Sequence, residues 1–476
     1  MVVPRMQESA KVTGETRRLE EGPVAAFQSQ FRGEMIQPGD EAYERARRVW
    51  NGAIDRHPGL VARATGVADV QAAIRFARDR GLPLAVRGGR HNVAGSAVCD
   101  GGVVLDCSPM KGVRVDPAAR TARAQPGLLW GELDRETQVF GLATTGGIIS
   151  HTGIAGLTLG GGLGWLMRKH GLAADNLLSA DVVTAEGECL RASEREHADL
   201  FWGLRGGGSN FGVVTSFEYR LHAVGPIVLA GVILYPAARA REVLGSYRDY
   251  IASAPDELTT IAVLRMAPPA PFFPPWVHGQ PVVVIGACYA GPVEEGERAV
   301  APLRRFGEPL VDLIRPTPYV AHQALLDATA PHGLSYYWKS EYLRPLSDAL
   351  IDTLVERAWR VATPESYTIL FHLGGAVGSA DPEASAFEDR QAAHAVVIDA
   401  VWSDAARASA CIAWTRDFWE AVRPYSTGRI YVNFLGEEGQ DRVRAAYGAA
   451  KYERLRALKR TYDPTNFFRL NQNIAP

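Results

Sequence analysis

The residues with the most chemistry in a short span are Arg87-Gly88-Gly89-Arg90-His91-Asn92. An apolar run, Leu84-Ala85-Val86, enters a glycine pair, and an imidazole follows at once. Gly88 and Gly89 lack Cβ, so the backbone can turn at positive φ and approach a ligand closely. Successive N–H groups in such a turn form a nest for phosphate oxygens, and Arg87 and Arg90 add positive charge. A second stretch runs from Thr145 to Trp165, where nine of twenty-one residues are glycine or alanine. Isoleucine, leucine and tryptophan are interleaved and serine is sparse, so it is no flexible linker. It reads as backbone packed against something flat or anionic. His151 lies within it, placed either to line a pocket or to bond the backbone. Trp165 reads as core.

The elements that must position these residues follow from periodicity. Residues 59–64 read as a strand. Residues 67–81 carry Val67, Val70, Ala73, Ile74 and Ala77 at helical spacing, with Gly81 as the stop. The strand into His91 comes next. No GxGxxG joins a strand to a helix near the N-terminus, which excludes a Rossmann fingerprint. Short strands are expected at 102–106, 112–116 and 121–125, a helix at 129–138, and two strands at 177–184 and 187–191. Residues 199–214 read as a short helix, a glycine turn and a strand. Near Val224-Gly225-Pro226 the texture changes. Helices are expected at 237–253 and 346–361, apolar strands at 282–287 and 367–372, and a proline-dense surface loop at 268–275. This predicts one domain over residues 29–225 and a second over 226–425, a sheet with helices on one face. Residues 426–476 return to the first, with a strand at 431–434 and a helix at 447–460. Residues 1–28 are expected to be disordered or loosely attached.

Length and composition set the outer limits. The chain has 476 residues, enough for two domains. Its 51 basic and 53 acidic residues give a formal net charge of -2, without the basic footprint of a nucleic-acid binder. The five cysteines are scattered with no CxxC pair, arguing against a disulfide framework or a zinc site. No His, Asp or Glu cluster has metal-ligand spacing. The polar N-terminal segment lacks a signal-peptide core, and no apolar run approaches about twenty residues. A cytoplasmic enzyme with no membrane or nucleic-acid partner is the expectation, its oligomeric state open.

The glycine–histidine turn, the glycine-rich stretch and the C-terminal block Tyr431-Val432-Asn433-Phe434 … Asn471-Gln472-Asn473-Ile474 together resemble the vanillyl-alcohol oxidase superfamily. The similarity is greatest to its berberine-bridge-enzyme-like branch, including bacterial monocovalent flavin oxidases. The resemblance implies an α+β, two-domain PCMH-type FAD-binding fold with an antiparallel sheet covered by helices over the substrate. It implies FAD bonded to His91. Around the cofactor it places Arg87, Gly88, Gly89, Arg90, Asn92, Gly127, Thr145, Gly146, Thr152, Gly153, Gly156, Gly161, Gly212, Val213, Tyr431 and Asn471. Many relatives carry a second tether from a cysteine, and the matching position here holds Ile149, so a single tether is expected.

Flavin oxidation requires a base as hydride leaves the substrate. The resemblance makes Tyr431 the first candidate, its phenol needing a pKa lowered from near 10, with Asn433 positioning substrate or flavin. His372, Glu341 and Tyr337 are further candidates. The expected activity is oxidation of a small organic molecule (an alcohol, amine or phenolic, polyketide-like metabolite), with dioxygen as acceptor and oxidative cyclisation as one outcome. A sugar or oligosaccharide oxidase, a dehydrogenase with another acceptor, and an inactive flavin-binding protein remain open alternatives.

Overall fold

The computed structural model describes residues 19–269 and 273–476. A small sheet carries Leu60–Arg63 and Leu84–Arg87 on either side of Val103–Asp106, all parallel, with Glu34–Ile36 antiparallel at the edge. The helix Val67–Asp79 crosses between the first two and buries Val70, Ala73, Ile74 and Ala77. Val67, expected on that face, is 39% exposed at the helix start. A second, antiparallel sheet orders Val113–Asp116, Thr121–Ala124, Val213–Arg220, Leu177–Val183 and Cys189–Ser193.

The third sheet is the largest and is antiparallel throughout. Its long strands run in the order Ile227–Pro236, Pro281–Tyr289, Leu258–Met266, Tyr367–His372, His394–Trp402, Ser335–Leu343. Strand alternation sorts its two faces. Leu258, Ala262, Leu264, Leu370, Val396 and Ile398 face one way, under the helices Ala240–Ile251, Asp348–Ala358 and Ala408–Val422. Ile261, Val263, Ile369, Phe371 and Val397 face the other way, toward the glycine-rich stretch.

Several local expectations are corrected. Glu21–Gln28 is an ordered helix whose Phe27 stacks on Phe76 at 4.5 Å between centroids; residues 1–18 lie outside the described residues. Residues 432–434 form a 3-10 turn, closed by Phe434 N–H donating to Tyr431 O at 2.9 Å, where a strand was expected. The C-terminal helix spans Gln440–Tyr462 and is interrupted at Gly448, φ 66°. Of the loop at 268–275, residues 270–272 lie outside the described set, and Pro275–Val277 is a 3-10 turn. Among the described residues no helix is long and apolar enough to cross a membrane, and no group of side chains could hold a metal ion.

The C-terminal block is clamped by a buried ion pair. Lys459 and Asp463 are both 0% exposed and lie 2.7 Å apart. Lys459 Nζ also donates to Asn210 O and Phe468 O, while Asp463 accepts the Phe467 and Phe468 N–H groups. Burial lowers the Lys459 pKa, opposed by Asp463. Removing one partner strands the other charge. Lys459→Met is therefore expected to cost about 3–5 kcal/mol in chemical denaturation; a loss no larger than a surface pair's ~1 kcal/mol would remove this clamp from the account.

Candidate active site

The glycine turn at the end of Leu84–Arg87 is held from below and from the side. Arg87 pairs with Asp106 at 2.8 Å, both fully buried. A Cβ on Gly88 would lie 2.5 Å from Pro126 O. One on Gly89 would lie 2.4 Å from Gly153 N, and one on Gly153 would lie 2.5 Å from Gly89 N. The two glycine stretches thus meet backbone to backbone, which only residues without Cβ allow. Arg90, at φ 61°, follows. Its guanidinium has no hydrogen bond or ion pair among the described residues, and burial, then Arg87, lower its pKa.

His91 stacks on Trp50 at 4.3 Å between centroids, and Trp50 stacks in turn on Tyr336 at 3.8 Å. Burial, with His151 and His332 alongside, pushes the imidazole down to about 3. It is therefore neutral and keeps an unprotonated nitrogen lone pair. Its Nε2 is buried without a hydrogen-bond partner among the described residues.

A cavity of about 350 Å³, within the range of small-molecule sites, joins this cradle to the large sheet. Arg87 to Asn92, Thr152, Gly153, Gly156, Tyr431, Asn433 and Asn471 line it, along with Gly208, Ser209 and Asn210. Asn471 Nδ2 donates to Ser209 O at 2.9 Å, while its Oδ1 has no partner among the described residues. Gly127, Thr145, Gly146, Gly161, Gly212 and Val213 are not among the residues lining it. Gly127 packs on the Cys107, Ser108 and Met110 carbonyls, and Gly146 packs on the Trp130 ring. Thr145 Oγ1 donates to Gly171 O at 2.8 Å. Gly161 abuts Phe387, Gly212 abuts Val182 and Val183, and Val213 pairs with Val183.

The catalytic candidates divide sharply. Tyr431 and Asn433 face the cavity. The Tyr431 oxygen accepts from Gly162 N–H at 2.7 Å and from Asn433 Nδ2 at 2.6 Å. Burial nonetheless pushes the phenol up to about 12, away from what a base requires. His372 is one residue past Phe371 and so points to the helix face, where Nε2 meets Arg168 Nη1 at 3.1 Å and Nδ1 meets Thr260 Oγ1 at 3.3 Å. Glu341 likewise lies on the outer face. It accepts from Ser426 Oγ at 2.6 Å and Trp419 Nε1 at 2.8 Å, and pairs with Arg442 at 2.9 Å. Tyr337 shares that face and bonds Arg416. His372, Glu341 and Tyr337 are thus structural, excluded from the cavity by strand parity.

The polar groups that do reach the cavity from the sheet are Arg265, Tyr367 and Asp399. They are register partners: Arg265 lies opposite Tyr367, Tyr367 opposite Asp399, and Asp399 opposite Trp338. One row across four strands therefore points at the cradle. The next row, Val284, Val263, Ile369 and Val397, is apolar. Asp399 is 1% exposed, and its Oδ1 has no partner among the described residues. Burial raises its carboxyl to about 8, only partly offset by the Tyr367 hydroxyl and the Arg265 guanidinium. The readable signal was a lone aspartate inside the apolar run His394–Trp402.

An anion-ready glycine cradle, a neutral buried imidazole and an apolar chamber with one polar row suit a flat, anionic cofactor beside a small organic molecule. An FAD binding domain model matches residues 58–193, and a berberine and berberine-like model matches residues 430–475. An FAD-linked oxidoreductase of Dictyostelium discoideum is 33% identical over 95% of this chain and 97% of its own. The (R)-6-hydroxynicotine oxidase of Paenarthrobacter nicotinovorans is 32% identical over 94% and 97%. The crystal structure of 6-hydroxy-D-nicotine oxidase from Arthrobacter nicotinovorans superposes with a TM-score of 0.85 at 30% identity, covering 94% of this chain and 98% of that one. The chain belongs to the berberine-like family of FAD-linked oxidoreductases.

The residues present fit FAD. The glycine cradle leaves no room for a Cβ, Arg90 is a cation without a partner among the described residues, and His91 Nε2 and Asn471 Oδ1 are unsatisfied beside the cavity. Gly89→Ala or Gly153→Ala must force the two stretches apart, since either Cβ meets backbone. Each variant is expected to purify with markedly less flavin per chain by absorbance. Full flavin content in both would remove the close approach from the binding account.

Proposed function

We propose that this enzyme holds FAD covalently through His91 alone and oxidises a small organic molecule, with Asp399 as the catalytic base and dioxygen as the final acceptor. The Asp399 carboxyl carries the reading: it is the one carboxyl lining the cavity among the described residues, set in a mainly apolar wall opposite the glycine cradle. Bound flavin supplies a two-electron acceptor for hydride. This chain's residues do the rest. The apolar rows of the sheet exclude water and hold the substrate flat. Asp399, once ionised, takes the proton from the substrate O–H or N–H as the neighbouring C–H bond breaks. Arg265 and Tyr367 favour that ionised form. Tyr431 stays protonated and, with Asn433, ties the cofactor loop at Gly162 and Leu157.

A single tether is supported by Ile149, which lines the cavity where many relatives' second tether is expected, and by the absence of cysteine from the lining among the described residues. The neutral, unpartnered His91 nitrogen is the nucleophile that such a bond needs. The relative named as an oxidase supports dioxygen as acceptor and a small molecule as substrate.

Intact-mass measurement of the denatured protein is expected to show the chain plus one FAD, and His91→Ala the bare chain. An adduct that survives in the variant would place the tether elsewhere. Asp399 is protonated below about 8 and ionised above. The anaerobic rate of flavin reduction by substrate should therefore rise with pH and level off above about 8. Asp399→Asn should slow that step by about 10²–10⁴-fold and abolish the rise; a variant that keeps the wild-type profile would exclude Asp399 as the base.

A further inference from the structure

Arg265 is 9% exposed, yet it lines the chamber. Its Nε donates to the Met266 carbonyl at 3.1 Å, and its guanidinium carbon lies 5.3 Å from the centre of the Tyr367 ring. Neither Nη has a hydrogen bond or ion pair among the described residues. The one carboxylate near it in the row is Asp399, and the strand carrying Tyr367 keeps the two apart. Among the described residues the Nη donors are unpaired and open onto the chamber, so a group there that pairs with them is favoured over leaving a largely buried cation alone. Its flat fork suits a carboxylate or phenolate oxygen. The surrounding chamber is apolar, from Val232, Val263, Val284, Ile369 and Val397.

We propose that Arg265 is the substrate anchor, so that this enzyme takes a flat, mainly apolar molecule bearing one anionic oxygen group, which docks on the guanidinium. The inference rests on the reading of this chamber as the catalytic one. Arg265 and Asp399 leave strands two apart in the sheet, about 9–10 Å at the backbone. The anchoring oxygen and the proton that Asp399 removes therefore sit at opposite ends of a one- or two-ring molecule. Tyr367 fills the gap, supporting the cation with its ring face and the carboxyl with its hydroxyl.

The test uses the holoenzyme at pH 8, with probe binding followed by the change in flavin absorbance. The probes are 2-naphthoate, its neutral counterpart 2-naphthamide, and 4-nitrophenolate. The anionic probes are expected to bind about 10–100-fold more tightly than the amide, the effect of a charge-assisted hydrogen bond. Arg265→Met should erase that preference while leaving amide affinity within about threefold, and Arg265→Lys should restore part of it through charge alone. If Arg265→Met loses its flavin, the lysine variant against wild type still decides, because a point charge cannot reproduce the fork. A preference confined to naphthoate assigns a carboxylate substrate, and one shared with nitrophenolate assigns a phenolate. Equal affinity for naphthoate and naphthamide, no binding of either, or a preference that survives Arg265→Met overturns the anchor. The covalent flavin and the Asp399-dependent pH profile are measured on the same preparation, so that failure is distinguishable from failure of the catalytic reading.

Discussion

The approach of Gly89 to Gly153 is the contact on which the rest depends. Two distant stretches touch through bare backbone, at a separation that a methyl group on either would close. This contact brings Arg90 and His91 to the mouth of the glycine-rich stretch and lets N–H groups face one ligand. Such a nest has little intrinsic rigidity, because glycine loses the most conformational freedom on folding. The rigidity comes from around it. Arg87 and Asp106 form a buried pair beneath the turn, and Trp50 lies stacked between His91 and Tyr336. The Lys459–Asp463 clamp holds the C-terminal segment at Phe467 and Phe468 against Asn210 of the cavity wall.

Tying the cradle to the large sheet falls to a few buried arginines. Arg168 leaves the end of the glycine-rich segment and donates to the Leu258 and Ala254 carbonyls and to Asp256. Arg390 reaches back from the sheet side to Asp175 in a two-point pair, at 2.6 and 3.0 Å. Both are planar, multi-donor contacts of the kind a lysine cannot duplicate. His372 belongs to this group. It is held neutral by burial and by Arg168, and its role is to complete a junction. The chemistry in the chamber thus depends on a frame whose arginines are committed to paired contacts, while Asp399 and Arg265 of the sheet wall face the chamber.

How much was legible varies by element. The strand into His91, the helix before it and the glycine-rich stretch could be read because each signal is local: a period, a breaker, a missing Cβ. Leu84–Arg87 and Val67–Asp79 match their expected positions within the usual fraying of ends. The turn at Tyr431 was misread as a strand, since aromatic and β-branched residues suggest extension, whereas hydrogen bonding closes a 3-10 turn that turns Tyr431 and Phe434 into the cavity. In the large sheet the difficulty is more basic. Both of its faces are buried, so the strands read as near-continuous apolar runs, and periodicity does not say which parity faces the chamber. His372 and Glu341 were polar residues on the right strands but with the wrong parity.

The sequence by itself determined the cofactor side of this protein: the two glycine stretches, the histidine between them and the closing C-terminal block. Each is a short run whose residue types restrict the backbone directly. The tertiary structure alone decided the substrate side. Arg265, Tyr367, Asp399 and Trp338 lie far apart in the chain and become neighbours only through strand register. Register is settled by the packing of whole sheets against helices and cradle, since a slip of one residue would turn every side chain of a strand to the opposite face.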